Sequence, residues 1–144
     1  MAAKRLFLVV FACLACACAQ MPGPDNSPPP GAKVAKCDSP KCSVQVEVKC
    51  VAYVFCSIEA NPEWIQVGRG NSPEITWQLT TPGYAFTDNG ISFVDTEEFK
   101  CHPEEGGRRF VCNNKHSRSG VHKYWIKLSG FPFVFPKDPW VYND

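Results

Sequence analysis

From Val44 to Cys50 every second residue is apolar, with Gln45, Glu47 and Lys49 interleaved. A period of two marks a β-strand with one wet face. Cys50 falls on the apolar side, so a bridge made from it is expected to face the core. Val51 to Phe55 stays apolar without alternating, which predicts a bulge, a bend or a strand buried on both sides. Asn61-Pro62 ends that run. A short strand follows at Ile65 to Val67, closed by the turn-rich stretch from Gly68 to Pro73. Ile75, Trp77 and Leu79 then alternate with Thr76, Gln78 and Thr80, up to a Pro82-Gly83 turn. Tyr84 to Phe86 and Ile91 to Val94 flank Asn89-Gly90. That dipeptide favours tight primed turns, so the two runs are predicted to fold back on each other as part of a meander. Asp95-Thr96-Glu97-Glu98 suits either one capped helical turn or a loop.

Gly106-Gly107 centres a hairpin. A two-residue turn there sets Cys101 opposite Cys112 but assigns Pro103 to a hydrogen-bonded ladder site that it cannot fill. A wider connection between Glu104 and Arg109 removes that conflict and keeps the two cysteines within disulfide reach. Residues 113 to 120 form a polar loop, and Lys123 to Leu128 is a strand with Tyr124, Ile126 and Leu128 on one face. Its other face carries Trp125 between Lys123 and Lys127, and the Phe131-Pro132-Phe133-Val134-Phe135-Pro136 tail is expected to cover it. Pro139 to Tyr142 reads as a final short edge strand.

About seven or eight short strands, frequent Gly, Pro and Asn turns and no long helical pattern predict an all-β fold. A small disulfide-stabilised β-sandwich of immunoglobulin-like character fits best, with a small closed β-barrel as the alternative.

The N-terminus changes how the rest is counted. Lys4 and Arg5 precede an uncharged apolar run from Leu6 to Ala15, and Ala17-Cys18-Ala19 is a small-x-small cleavage pattern. Residues 1–19 therefore read as a secretory signal peptide with the mature chain starting at Gln20. The run is shorter than the about 20 apolar residues a membrane-spanning helix needs, so no transmembrane segment is expected. Cys18 lies beside the cleavage point, and a lipid anchor on it is the alternative to release. Residues 20–36, with Pro22, Pro24, Pro28, Pro29 and Pro30 among small polar residues, have little to bury and read as a disordered, Pro-rich leader. The β-sandwich domain is assigned to residues 37–144. The expected location is secreted or periplasmic, or anchored at the cell envelope.

Of nine cysteines, Cys13, Cys16 and Cys18 leave with the signal. Cys37, Cys42, Cys50, Cys56, Cys101 and Cys112 remain, an even set that reads as a disulfide framework. Cys101 with Cys112 is the pair the hairpin favours, and the partners of the other four stay open. Removing Lys4 and Arg5 leaves thirteen basic against fourteen acidic residues. A near-neutral product argues against a nucleic-acid binder. The basic excess gathers after residue 107, where Arg108, Arg109, Lys115, His116 and Arg118 form a candidate binding patch for a protein or a polyanionic surface ligand.

Catalytic chemistry finds little support. His102, His116 and His122 are the only histidines. With Cys101 and Cys112 they could be drawn as a zinc cluster, but the spacing is irregular and disulfide formation competes for the thiols. Glu97-Glu98 and Glu104-Glu105 are adjacent pairs that specify no general acid and base geometry, and Gly68-x-Gly70 reads as a turn. No catalytic residue, metal or cofactor is assigned. The chain reads as an exported, non-enzymatic β domain that binds or organises another macromolecule. A small disulfide-rich inhibitor or effector is the first rival, and a small hydrolase or metal-binding protein the second.

Overall fold

A computed structural model of the chain describes residue 28, residues 30–52 and residues 55–144. The expected signal peptide, Cys18 and most of the leader lie outside the described residues. Ten strands run in order: β1 (Val34–Cys37), β2 (Lys41–Val51), β3 (Phe55–Asn61), β4 (Trp64–Val67), β5 (Glu74–Leu79), β6 (Tyr84–Phe93), β7 (Phe99–Glu104), β8 (Arg109–Asn114), β9 (Gly120–Gly130) and β10 (Trp140–Asn143). They make two five-stranded sheets, ordered β1-β4-β10-β9-β6 and β3-β2-β5-β8-β7. The fold is an all-β sandwich. Each sheet keeps two edge strands, so the barrel alternative does not apply. The pairs β1/β4, β4/β10 and β2/β5 are parallel, whereas immunoglobulin domains are built from antiparallel sheets.

The period-two runs supply the core. Val44, Val46 and Val48 of β2, Ile75, Trp77 and Leu79 of β5, and Tyr124, Ile126 and Leu128 of β9 all turn inward and are buried. Each such side chain removed from water contributes about 1.5–3 kcal/mol. Aromatic contacts tie the layers together. Phe93 of β6 stacks on Phe99 of β7 with centroids 3.7 Å apart, and Phe86 meets Phe110 edge-on at 5.7 Å. Trp77 brings a polar nitrogen into the core, and its Nε1–H donates to the Tyr124 hydroxyl at 3.1 Å. Burial pushes the Tyr124 phenol well above its ordinary range, more than the Trp77 hydrogen bond lowers it.

Five local expectations change. Val51 to Phe55 spans a hairpin, with β2 and β3 paired from Gln45↔Asn61 to Val51↔Phe55. β2 runs on past its pairing with β5, which ends at Val46↔Leu79, and its last three residues are exposed, Cys50 among them in spite of its apolar-side position. At Asn89-Gly90 the chain does not reverse. β6 continues through it, and its pairing with β9 jumps from Phe86↔Leu128 to Ile91↔Ile126. Between these pairs four residues on β6 face one on β9, Lys127, so residues 87–90 are pushed out as an enlarged bulge. Gly90 is needed there because a Cβ would lie 2.6 Å from Phe86 Cβ and 2.9 Å from the Thr87 carbonyl oxygen. β10 is an interior strand, parallel to β4 and antiparallel to β9. β1 begins at Val34, inside the segment read as leader, because it finds a parallel partner in β4.

Three disulfides close the structure. Cys37–Cys42 joins β1 in one sheet to β2 in the other, Cys50–Cys56 crosses the β2–β3 hairpin, and Cys101–Cys112 crosses the β7–β8 hairpin. Such a framework belongs to an oxidising compartment. The β7–β8 connection is the wide form, running through Glu105, Gly106, Gly107 and Arg108, with Arg108 N–H donating to the Glu105 carbonyl at 3.2 Å. Glu105, Gly106 and Gly107 all take positive φ. The Cα atoms of Cys101 and Cys112 are 4.0 Å apart, the short spacing of a non-hydrogen-bonded pair. Pro103, opposite Phe110, is two positions along and therefore also at such a pair, where no N–H is required.

Candidate functional site

The basic residues singled out in the sequence do not converge. Arg108 and Arg109 lie at the start of β8, whereas Lys115, His116 and Arg118 lie beyond its end. The six steps along the strand from Arg109 to Lys115 correspond to about 20 Å at 3.3 Å per step. Most of these side chains are also engaged within the fold. Arg108 is half-buried and donates to three carbonyls, those of Leu79 at 2.6 Å, Thr81 at 2.6 Å and Tyr84 at 3.0 Å. It thereby ties the end of β5 to the start of β6. Arg109 pairs with Glu104 and Glu105, and Arg118 with Asp95 and Glu97. His116 takes positive φ, and its ring is held between the Asn71 carbonyl at Nδ1 (2.6 Å) and the Asp144 backbone oxygen at Nε2 (3.0 Å). Lys115 alone of the five is exposed without an ion pair among the described residues.

Of the other two histidines, His102, on β7, is exposed and lies 3.2 Å from Glu104, while His122, on β9, packs edge-on against Phe99 and has its Nε2 3.4 Å from the Arg118 carbonyl, at the loop that carries His116. No group of three or more metal-ligating side chains forms among the described residues. No helix among them is long and apolar enough to cross a membrane.

Glu98 is a structural centre that its sequence context did not reveal. It is only 1% exposed, and its carboxylate accepts from the Ser117 backbone N–H and hydroxyl, each at 2.6 Å. Desolvation alone would raise its pKa. The Ser117 hydroxyl, the Ser117 and Arg118 backbone N–H groups and nearby His122 outweigh it, and the carboxyl is held below the usual range. The polar loop is thus organised around a buried anion, with Asp95 Oδ1 accepting from the Glu98 N–H at 3.3 Å.

Two surface features stand out. The first is apolar. Between β9 and β10 the chain alternates outward and inward, with Phe131 (89% exposed), Phe133 (67%) and Phe135 (77%) outward and Val134 buried. The segment is pinned along its length. The Tyr84 hydroxyl donates to the Pro132 carbonyl at 2.7 Å, Val134 enters the core, and Lys137 exchanges two backbone hydrogen bonds with Ile126. Phe133 and Phe135 meet edge-on at 5.4 Å. With Phe55, Cys56 and Ser57 they line an open concavity of about 370 Å³. Val51 and Phe55, cross-strand partners next to the Cys50–Cys56 bridge, are also largely exposed (72% and 76%) and extend the surface. Only the Pro136 and Asp138 end of the tail reaches Trp125, which the alternation of Lys123, Trp125 and Lys127 predicts to be covered. The tail's Phe/Pro alternation was the available signal for an outward row of rings.

The second feature is mixed in character. Ser92, Trp125, Lys127, Pro136 and Asp138 line an open concavity of about 510 Å³ on the outer face of the first sheet. Lys123 bonds Asp138 at 2.6 Å, with its ammonium 5.8 Å from the Trp125 ring centroid and 5.0 Å from that of Trp140. The tail therefore walls Trp125 at Pro136 and Asp138 and leaves a hollow beside it.

No protein-family model matches the chain, and no curated protein does. Among solved structures, two crystal structures of rusticyanin variants are similar to it. One shares 15% identity with a TM-score of 0.35, the other 16% with 0.33; each comparison covers 76% of this chain and 81% of the rusticyanin chain. Likeness at this level carries no argument about a site or a ligand.

Proposed function

We propose that the chain is an exported, non-enzymatic β domain that binds another macromolecule through the apolar face formed by Val51, Phe55, Phe131, Phe133 and Phe135. One observation carries this reading: a segment fixed at Pro132, Val134 and Lys137 holds three phenylalanines outward beside a disulfide-closed hairpin that exposes Phe55. Leaving such rings in water forgoes about 1.5–3 kcal/mol of burial for each. Contiguous exposed apolar surface of this kind marks an interaction site. Rigidity adds to the argument, because a pinned loop loses little conformational entropy when a partner covers it. The disulfide framework and the N-terminal signal pattern support a location outside the cytoplasm, and the partner we infer is a protein with a complementary apolar surface.

Site-directed photocrosslinking in the native envelope tests this. A crosslinker at position 133 should yield a discrete protein adduct that is absent when it is placed at position 45, on the outer face of β2, and that is lost in a Phe55→Ser/Phe135→Ser variant with unchanged circular dichroism. Equal adducts from both positions, or an adduct that survives the double substitution, would overturn the proposal.

A further inference from the structure

Strand register explains why the hollow beside Trp125 is built as it is. Ser92 and Trp125 are cross-strand partners on β6 and β9, so their side chains share the outer face. Lys127, two residues along β9, lies on that face as well. Ile126 is bridged to Lys137 in antiparallel sense, and Ile126 points into the core. The neighbours of the bridged residues, Trp125 and Lys127 on one side and Pro136 and Asp138 on the other, therefore project together on the opposite face. The fold gathers an indole, a proline ring, a hydroxyl, an ammonium and a carboxylate around one concavity.

Three properties define what suits it. Its volume of about 510 Å³ falls in the range of small-ligand sites, about 300–1,000 Å³. Trp125 and Pro136 give it an aromatic and aliphatic wall. Lys127 is exposed and makes no ion pair among the described residues, whereas Lys123 and Asp138 neutralise each other at 2.6 Å. The hollow is left with one uncompensated positive charge beside an aromatic wall. A purely apolar ligand would leave the charge unanswered. A small inorganic anion would make no use of the indole and proline surfaces.

We propose that this hollow is a binding site for an acidic saccharide, a sugar unit bearing a carboxylate. A pyranose ring offers a flat C–H face to Trp125 and Pro136, hydroxyls to the free lone pairs of Asp138, and its carboxylate to Lys127. The site is separate from the phenylalanine face, although Pro136 ends the same segment, and it stands or falls independently of the protein partner proposed above.

Titration of the purified, oxidised protein with tetragalacturonate, followed by tryptophan fluorescence and calorimetry, tests the assignment, with fully methyl-esterified tetragalacturonate as the neutral counterpart. We expect saturable binding of tetragalacturonate that is lost in Trp125→Ala, is weakened about fivefold in Lys127→Gln and more in Lys127→Glu, and falls with added salt. The methyl ester should bind at least about fivefold more weakly than tetragalacturonate. Should Trp125→Ala fail to fold, the two Lys127 variants carry the test, since that side chain is exposed and unpaired. No saturable binding of tetragalacturonate, equal affinity for its methyl ester, or affinity unchanged by Lys127→Glu would each overturn the proposal.

Discussion

Replacing Glu98 by glutamine changes a carboxylate into an amide of nearly the same shape, and the structure makes that exchange costly in a pH-dependent way. The carboxylate is buried and receives the Ser117 N–H and hydroxyl, each at 2.6 Å, and is also held by the Arg118 backbone N–H. All of these are donors. Glutamine offers one acceptor oxygen and turns an NH2 group toward the others, so at least one buried donor loses its partner. Hydrogen bonds to charged groups contribute about 1.5–3 kcal/mol each, and an unsatisfied buried donor costs about 1–3 kcal/mol. Because neighbouring contributions do not add fully, the expected loss for Glu98→Gln is about 2–3 kcal/mol near neutral pH.

The folded-state pKa of Glu98 lies below the ordinary value. Its stabilisation is therefore fully present above the unfolded glutamate pKa of about 4.3 and is lost as pH falls through the lower, folded value. At that acid end the native side chain is itself a neutral acid with an O–H donor, and its advantage over glutamine disappears. Urea denaturation of both proteins, followed by circular dichroism at about pH 7 and about pH 2, should show the difference of about 2–3 kcal/mol narrowing to below about 0.5 kcal/mol. A substitution that costs less than about 0.5 kcal/mol near neutrality, or a cost that persists undiminished in acid, would refute the role assigned to the buried anion.

Arg108→Lys keeps the charge but cannot hold the carbonyls of Leu79, Thr81 and Tyr84 together. It is expected to lower stability by about 1.5–3 kcal/mol in thermal unfolding, and a loss below about 0.5 kcal/mol would contradict the role given to the guanidinium. Gly90→Ala places a Cβ against Phe86 and the Thr87 carbonyl and should cost about 1–3 kcal/mol, an outcome checked by the urea midpoint. Cys101→Ser/Cys112→Ser opens a loop whose ends are 11 residues apart and should cost about 2–3 kcal/mol; intact-mass measurement of the double variant should show the other two bridges still formed. Trp77→Phe removes the indole N–H that meets the Tyr124 hydroxyl in the core and should cost about 1–3 kcal/mol by loss of the hydrogen bond and of packing.

Much of the sandwich was legible because its signals are local. Strict alternation in Val44 to Val48, Ile75 to Leu79 and Tyr124 to Leu128 selects one buried face regardless of partner. The conflict between Pro103 and a tight turn at Gly106-Gly107 already pointed to the wider hairpin connection. Where the reading failed, a local preference met a tertiary constraint. Asn89-Gly90 favours a hairpin turn, but β9 offers a continuous partner on both sides of the bulge, and the turn residues are absorbed into β6. Cys50 has the parity of a core residue, yet it lies where β2 runs on past its pairing with β5 and is exposed.

The candidate surfaces were less legible for the same reason. Basic residues close in sequence looked like one patch, but a strand between them separates Arg108 and Arg109 from Lys115, His116 and Arg118. The Lys123, Trp125 and Lys127 face was visible in the alternation, while its opposing wall of Pro136 and Asp138 depends on the bridge between Ile126 and Lys137. The sequence by itself determined which face of each alternating run is buried and that six cysteines follow the N-terminal signal pattern, because each depends on neighbours a few residues apart. Only the tertiary structure decided that β2 and β5 run parallel, that Glu98 is buried while Glu97 is not, and that Phe55 meets Phe133 and Phe135. Those outcomes turn on which distant strands pair and on how far each one runs past its partner.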